Sequence, residues 1–301
     1  MDQRQPPSIF DRAAYRTRLE RAAPRFDHHA FLHEQVAIDL VDRLETILRD
    51  FDRAAILGAG ADLVATRLTP ACAVGHVITG GLSEAMARRA PAGMAHLVAD
   101  EEALPFADGS LDLIVSMMGL QAVNDLPGAL AAMRAALRPD GLLLAAFPGE
   151  RSLHELRESL YRAESEISGG VSPRISPFTA IKDAGGLMQR AGLALPVADL
   201  VRIPVTYRDP ATLLADLRGM GESSVLAARR KGPLRRDVLV RAMELYRQNW
   251  RTDGGVTATF EIIVLTGWAP HASQQKPLKP GSATASLADA VRDFKNGEND
   301  T

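Results

Sequence analysis

Short strand-like runs of apolar residues alternate with apolar residues at helical spacing through the first half of the chain. The strand-like runs are residues 54–57, 73–79, 96–99, 111–116 and 142–147. Helical patterns follow three of these runs, at residues 63–68, 83–90 and 127–137. Strands that alternate with helices of this length form βαβ units, in which neighbouring strands are parallel. The pattern therefore predicts an α/β domain built around a parallel sheet.

The segments on either side of this region complete the predicted architecture. Apolar residues recur near helical spacing between residues 24 and 50, which predicts an amphipathic helix ahead of the sheet. The later pattern predicts helices at residues 153–167, 179–191, from 209 and 235–250, and strands six and seven at residues 197–205 and 257–268. We expect a seven-stranded, mostly parallel sheet within residues 51–268, with a helical insertion between strands five and seven. A helical extension over residues 1–50 precedes it, and a loosely ordered tail over residues 269–301 follows it.

The composition is that of an ordinary globular protein, with 46% hydrophobic and 24% charged residues. The 35 basic and 37 acidic side chains give a formal charge of −2, so no net positive field exists to attract nucleic acid. Cys72 is the sole cysteine and has no partner for an internal disulfide, which favours a reducing compartment. No apolar stretch approaches the roughly 20 residues that cross a bilayer, so we expect a cytoplasmic protein without a transmembrane segment.

The predicted strands end in residues that suit a ligand site. The first strand ends in a turn that contains Gly58 and Gly60, the second ends at Gly81, and Asp100-Glu101 follows the third. Open α/β sheets bind ligands at the carboxyl ends of their strands, and glycine lets a ligand approach the backbone closely. A glycine pair is also common in plain strand-to-helix turns, so this motif carries weight only together with its neighbours.

Three further motifs resemble those of class I S-adenosylmethionine-dependent methyltransferases. They are the run from Asp100 to Phe106, the run from Asp108 to Asp112, and Leu137-Arg138-Pro139-Asp140-Gly141 before the fifth strand. The resemblance covers residues 50–150 and implies a Rossmann-like methyltransferase fold with S-adenosyl-L-methionine as cofactor. It implies a cofactor-binding core over residues 51–148 and a substrate or partner half over residues 149–268. The cofactor-binding residues that it implies are Gly58, Gly60, Asp62, Gly81, Asp100, Glu101 and Ser116.

Motifs elsewhere in the chain are similar to the complex I assembly factors known as arginine hydroxylases, a family that is itself similar to biotin-pathway methyltransferases. These motifs lie at residues 10–12, 123–127, 152–157, 172–178, 217–223 and 280–284. The resemblance implies an enzyme that acts in the assembly of respiratory complex I by hydroxylating or methylating an arginine of an iron–sulfur partner subunit. It also implies a bacterial cytoplasmic protein that is peripheral at the inner membrane during assembly.

The chain departs from the methyltransferase pattern at the cofactor site. Ile56 stands where an acidic residue is usual, Asp62 where a third glycine is usual, and Gly81 where a carboxylate usually accepts the ribose hydroxyls. Gln121-Ala122 replaces a His-Trp pair of the family. Asp62 supplies the lost acidic function, or it is a helix N-cap with no cofactor role, or the pocket no longer binds the cofactor well.

These departures leave three functions open. The first is the modifying enzyme, the second is a non-catalytic complex I assembly chaperone with a degenerate cofactor pocket, and the third is a small-molecule methyltransferase. The motifs of the C-terminal half disfavour the third function. No residue is assigned as catalytic, because alignment of the reacting groups alone can support methyl transfer.

Two histidines have a spacing that is compatible with metal binding. His29 and His33 are four residues apart in the predicted N-terminal helix. No carboxylate and third ligand complete a site, and histidines near the start of an amphipathic helix commonly face solvent. We therefore assign no metal site.

Overall fold

An eight-stranded sheet organises the protein. The structure is a computed structural model that describes residues 8–230 and 232–275. The strands are β1 Phe51–Gly58, β2 Val74–Gly81, β3 Ala95–Val98, β4 Leu111–Met117, β5 Leu137–Pro148, β6 Ala194–Tyr207, β7 Arg251–Thr252 and β8 Gly255–Trp268. Their order is β3-β2-β1-β4-β5-β8-β6, and β7 pairs with β8. The first five strands are parallel, whereas β8 runs antiparallel to β5, β6 and β7.

Nine α-helices accompany the sheet in the described part of the chain. They are α1 Arg12–Ala22, α2 Phe31–Glu45, α3 Ala61–Arg67, α4 Glu84–Ala87, α5 Leu126–Ala136, α6 His154–Ser168, α7 Ile181–Arg190, α8 Pro210–Gly219 and α9 Arg236–Asn249. Short polar side chains begin four of them: Asp11, Ser83, Asp125 and Asp209 each accept a hydrogen bond from a backbone N–H of the first turn. Such caps satisfy donors that a helix leaves unpaired at its N-terminus.

The predicted α/β class and mostly parallel sheet are confirmed, but the strand count of seven is wrong. The extra strand, β7, has only two residues and pairs with the start of β8 across a tight turn. A strand of that length is too short to produce a periodic pattern. The helix predicted between residues 24 and 50 is also shorter in the structure, where α2 spans Phe31–Glu45. A 3-10 helix at Ala23–His28 separates it from α1.

Apolar cores lie on both faces of the sheet. Alternate residues of β1 point to opposite sides, so Ala54 and Ile56 join one core while Ala55 and Leu57 join the other. The first core includes buried residues of α1, α2, α6, α8 and α9, and the second includes those of α5 and α7. The N-terminal helices are therefore part of the structure that covers the sheet.

The described residues up to Pro270 belong to one compact unit. The boundaries placed at residues 50, 148 and 268 stay predictions. The motif at residues 280–284 and most of the predicted tail lie outside the described residues. Where the structure describes the chain, it contains no helix that is both long enough and apolar enough to cross a membrane.

Candidate functional site

The turn after β1 has a conformation that favours glycine. Gly58 and Gly60 have φ angles of +103° and +83°, values that L side chains rarely adopt. A Cβ on Gly58 would lie 2.1 Å from the Met117 carbonyl oxygen at the end of β4, and one on Gly81 would lie 3.3 Å from the Gly58 carbonyl oxygen. The neighbouring ends of β1 and β2 thus present backbone without side chains.

Asp62 lies just inside α3 and is held by an arginine. Its Oδ2 is 2.8 Å from Nη2 of Arg89, which also lies 2.6 Å from Oδ1 of Asp27. Burial raises the pKa of Asp62, and Arg89 opposes this rise. The N-cap of α3 is Gly60, so the reading of Asp62 as a helix N-cap is wrong. Asp62 is instead a buried ion-pair partner beneath the glycine turn.

The two carboxylates after β3 share one guanidinium group. Nη2 of Arg12, at the start of α1, lies 2.5 Å from Asp100 Oδ1 and 2.6 Å from Glu101 Oε2. Arg12 also donates to the carbonyl oxygen of Ala122. Glu101 is 2% exposed, and this burial raises its pKa while Arg12 opposes the rise. Arg12 was not predicted as a site residue, although residues 10–12 form one of the family-like motifs.

Ser116 lies in β4, between β1 and β5, and is fully buried. Its hydroxyl has no hydrogen-bond partner among the residues that the structure describes, and the same holds for the Thr79 hydroxyl in β2. Both strands flank β1 and end beside the glycine turn that follows it. Two buried hydroxyls without a partner in the described structure therefore lie in the strands that lead to the candidate site.

The two histidines do not converge. His29 Nδ1 lies 2.8 Å from Asp216 Oδ1 in α8, whereas His33 is fully buried with its ring centroid 4.9 Å from that of Phe26. The expectation that histidines here face solvent is therefore wrong for His33. Burial lowers the pKa of His33 to about 3. Within residues 8–230 and 232–275, no group of three His, Cys, Asp or Glu side chains is placed to hold a metal ion.

A polar cluster lies beside the carboxyl end of β4. Gln121 Nε2 lies 2.8 Å from Glu222 Oε1, 3.1 Å from the Tyr15 hydroxyl and 2.9 Å from the Met118 carbonyl oxygen. Burial raises the pKa of Glu222 to about 7. These side chains line a cavity of about 500 Å³. Neither Glu222, which belongs to the motif at residues 217–223, nor Tyr15 was predicted as a site residue, because α1 and the loop after α8 meet only in the folded chain.

The sheet order, the glycine turn and the acidic residues after β3 define a Rossmann-like protein of the methyltransferase class. A family profile described as a methyltransferase domain matches residues 56–145. The solved structure of the YcgJ protein from Bacillus subtilis superimposes with a TM-score of 0.53 at 14% identity, and the match covers 78% of this chain and 99% of that one. At this identity the likeness establishes the fold.

Sequence comparison gives the family. The mitochondrial arginine-hydroxylase NDUFAF5 of Danio rerio is 37% identical over 291 residues, which cover 95% of this chain and 90% of the relative. The chain therefore belongs to the arginine-hydroxylase NDUFAF5 family. It is also related to the malonyl-[acyl-carrier protein] O-methyltransferase of Halorhodospira halophila, at 33% identity over 89% of this chain and 91% of the relative.

The strand edge fits S-adenosylmethionine, the cofactor that the fold implies. The bare backbone at Gly58, Gly60 and Gly81 can accept a closely approaching ligand, as glycine-rich strand ends do in Rossmann-like folds. Asp100 and Glu101 supply carboxylate acceptors at the end of β3. Gly81 offers no carboxylate for ribose hydroxyls, and Arg12 already binds one oxygen of each of the two carboxylates.

Proposed function

We propose that this protein binds S-adenosylmethionine at the carboxyl ends of β1 to β4 and acts on an arginine side chain of a complex I subunit during assembly of the complex. One observation carries this proposal. The motifs at residues 172–178 and 217–223, which resemble the arginine hydroxylases, both contribute residues to the cavity beside the strand edge. Two of the family-like motifs thus line one cavity next to the proposed cofactor site.

The proposed cofactor residues have distinct tasks. Gly58, Gly60 and Gly81 allow close approach to the backbone, and Asp100 and Glu101 accept hydrogen bonds from the ligand. Asp62, which forms an ion pair with Arg89, and Ser116, whose hydroxyl has no partner among the described residues, complete the proposed set of cofactor-binding residues. When bound, the cofactor supplies an activated methyl group on a sulfonium centre.

The finer points of the proposal concern partner and place. We propose that the protein substrate is an iron–sulfur subunit of complex I. We also propose that the protein acts in the cytoplasm and is peripheral at the inner membrane while the complex is assembled. The relatives that support the partner class are those named as arginine hydroxylases.

Thermal unfolding with and without S-adenosylmethionine and S-adenosylhomocysteine tests the cofactor site. Ligand at about 100 times its Kd should stabilise the protein by about 2.7 kcal/mol, which corresponds to a rise of several degrees in Tm. Mass spectrometry of complex I from wild-type and deletion strains tests the substrate. We expect one arginine-containing peptide to be heavier in the wild-type strain than in the deletion strain, by the mass of one oxygen atom or one methyl group.

A non-catalytic assembly chaperone is the second candidate, and the ion pairs of Arg12 favour it. Arg12 occupies the acceptors of Asp100 and Glu101, and Gly81 provides no ribose acceptor. No rise in Tm at millimolar ligand, together with loss of complex I in the deletion strain and no modified arginine, would establish this alternative.

A small-molecule methyltransferase is the third candidate, and the relation to malonyl-carrier-protein methyltransferases favours it. Methyl transfer from labelled cofactor to a small acid or carrier-bound acid would support it. Loss of complex I with normal biotin and quinone levels in the deletion strain would contradict it.

A further inference from the structure

The cavity beside β4 has a largely apolar wall. Its volume is about 500 Å³, which lies in the range of small-ligand pockets. Leucines of α6, α8 and α9, with one just before α6, form much of its lining: Leu153, Leu156, Leu160, Leu214, Leu217 and Leu239. Such a wall suits the methylene stem of a long side chain, because the stem gains free energy when it leaves water.

One end of the cavity carries two side-chain acceptors, the carboxylate of Glu222 and the amide oxygen of Gln121. Glu222 Oε1 has Gln121 Nε2 at 2.8 Å and the Tyr15 hydroxyl at 3.4 Å as its hydrogen-bond partners. Gln121 is 8% exposed, and its Oε1 is buried without a donor in the described structure. No lysine, arginine or histidine among the described residues forms an ion pair with Glu222. Within the described residues, a carboxylate without a direct ion-pair partner and an amide oxygen without a donor therefore belong to one hydrogen-bonded cluster.

We propose that this cavity binds the guanidinium group of the substrate arginine, with Glu222 and Gln121 Oε1 as its acceptors. Guanidinium carries five N–H donors in a planar fork and no acceptor, so it satisfies a carboxylate and an amide oxygen together. The leucine wall accommodates the stem behind the fork. This assignment rests on the proposed function and adds to it the residues that recognise the substrate.

A neighbouring groove provides a path for the substrate backbone. This groove has a volume of about 630 Å³ and shares Ile175, Ser176 and Phe178 with the cavity. Ile9 and Pro173 continue its apolar lining outward. A peptide segment in the groove can therefore direct one side chain past the shared residues towards Glu222.

Four other charged or titratable side chains lie near Glu222 or line the same cavity. Tyr15 is fully buried, and its pKa is raised well above the usual value by burial. Arg174 is paired with Glu164 at 2.6 Å. Arg18 donates to the carbonyl oxygen of Ser224, and its positive charge favours the ionised form of Glu222 without a direct ion pair. Arg218 lies exposed where it lines the cavity.

Binding of small arginine probes to the full chain tests the proposal. The probes are N-acetyl-L-arginine amide, its neutral analogue N-acetyl-L-citrulline amide, and N-acetyl-L-lysine amide, each titrated at pH 8 by calorimetry or NMR. We expect the arginine probe to bind at least about 10-fold more tightly than the citrulline probe, because hydrogen bonds to charged groups contribute that much. The lysine probe should bind more weakly than the arginine probe, because an ammonium lacks the planar fork.

Glu222→Gln is the decisive variant, and Glu158→Gln is its matched control. Glu158 lies on α6 with about half of its side chain exposed and pairs with Arg162 at 4.0 Å, so its change should leave binding of every probe as in the wild type. Glu222→Gln should weaken binding of the arginine probe about 10-fold or more and remove the preference over citrulline. Thermal unfolding of both variants checks that each is folded.

A pH titration of the wild-type protein keeps the proposal testable if Glu222→Gln does not fold. Affinity for the arginine probe should fall between pH 8 and pH 6, because protonation of Glu222, whose pKa is about 7, removes the anionic acceptor. Constant affinity over this interval would contradict the assignment.

Other outcomes also overturn it. Equal binding of arginine and citrulline, equal binding of arginine and lysine, no binding of the arginine probe at tens of millimolar, or retained preference in Glu222→Gln would each do so. Stabilisation by S-adenosylhomocysteine is measured on the same samples. A wild-type protein that binds this ligand but not the arginine probe would contradict the guanidinium site alone, whereas the absence of any cofactor binding would contradict the proposed function.

Discussion

At the scale of single residues, the candidate site depends on positions where a side chain is excluded or held in place. Gly58 excludes a side chain both by its φ of +103° and by the carbonyl oxygen of Met117, 2.1 Å from the place of a Cβ. Gln121 is a side chain held in place, by hydrogen bonds to Glu222 and to the Met118 carbonyl oxygen. The loss of a His-Trp pair at Gln121-Ala122 suggested the loss of a titratable group, yet Glu222 lies within hydrogen-bond distance of Gln121. The fold thus places a different titratable group beside this position.

Gly58→Ala should destabilise the protein. Strain at a backbone conformation of this kind costs roughly 1–3 kcal/mol, and displacement of the Met117 carbonyl adds to it, so we expect Tm to fall by about 5 °C or more. Gly186→Ala is the matched control, because Gly186 lies inside α7 with nothing within 4 Å of the place of its Cβ. The control should raise stability by about 0.5–1 kcal/mol. Equal effects of the two changes in thermal unfolding would contradict the account of the turn.

Asp100→Ala should weaken binding of S-adenosylhomocysteine by about 10- to 100-fold, because one hydrogen bond to a charged acceptor is lost. The protein should stay folded, since the Asp100 side chain is 32% exposed and Arg12 keeps Glu101 as a partner. Asp108→Ala, an exposed change further along the same connection, should leave affinity as it is. Titration calorimetry compares the three proteins, and unchanged affinity in Asp100→Ala would place the pocket elsewhere.

At the scale of elements, α1 is a helix that the sequence pattern did not predict. Only Tyr15, Leu19 and Ala22 of its residues are buried, and four of its 11 residues are arginines, so its apolar stripe is narrow. The stripe is nevertheless spaced for one helix face. Longer elements with wide apolar faces or strong alternation, such as α6 and β8, lie close to their predicted positions.

The contact of α1 with the end of β3 predicts a large effect of Arg12→Ala. Glu101 is 2% exposed and would keep a buried carboxylate without its counterion. Breaking a buried ion pair by removing one partner costs roughly 3–5 kcal/mol, so Tm should fall by about 10 °C. Arg16→Ala, an exposed change on the same helix, should shift Tm by no more than about 2 °C. Similar Tm values for the two variants would show that the Arg12 ion pairs contribute little to stability.

At the scale of the whole molecule, the buried His33 and the half-buried Glu222 make stability depend on pH in opposite directions. The pKa of Glu222 rises from 4.5 to about 7, so its contribution to stability is present below pH 4.5 and is lost as pH rises through 7. The pKa of His33 falls from 6.5 to about 3, so its contribution is present above pH 6.5 and is lost as pH falls towards 3. Between pH 4.5 and 6.5 the two effects oppose each other.

Variants separate these two contributions. The difference in Tm between Glu222→Gln and the wild type should be more positive at pH 8 than at pH 4.5, because the variant lacks a carboxyl group that is costly to ionise in the folded protein. The difference in Tm between His33→Gln and the wild type should be more positive at pH 4.5 than at pH 8, because the variant lacks a buried imidazole that the folded protein keeps neutral. Thermal unfolding at both pH values measures the differences. Parallel pH profiles for wild type and variants would show that neither group controls this dependence.

The sequence by itself determined the α/β class, the parallel arrangement of the first strands and the glycine turn, because these depend on local periodicity and on residues adjacent in the chain. Family-like motifs at residues 172–178 and 217–223 could be recognised, but not that both line one cavity. The tertiary structure alone decided that Arg12 binds Asp100 and Glu101, that Arg89 binds Asp62, and that Tyr15, Gln121 and Glu222 meet. These groups are between 27 and 207 residues apart in the chain, and only the packing of helices against the sheet brings them into contact.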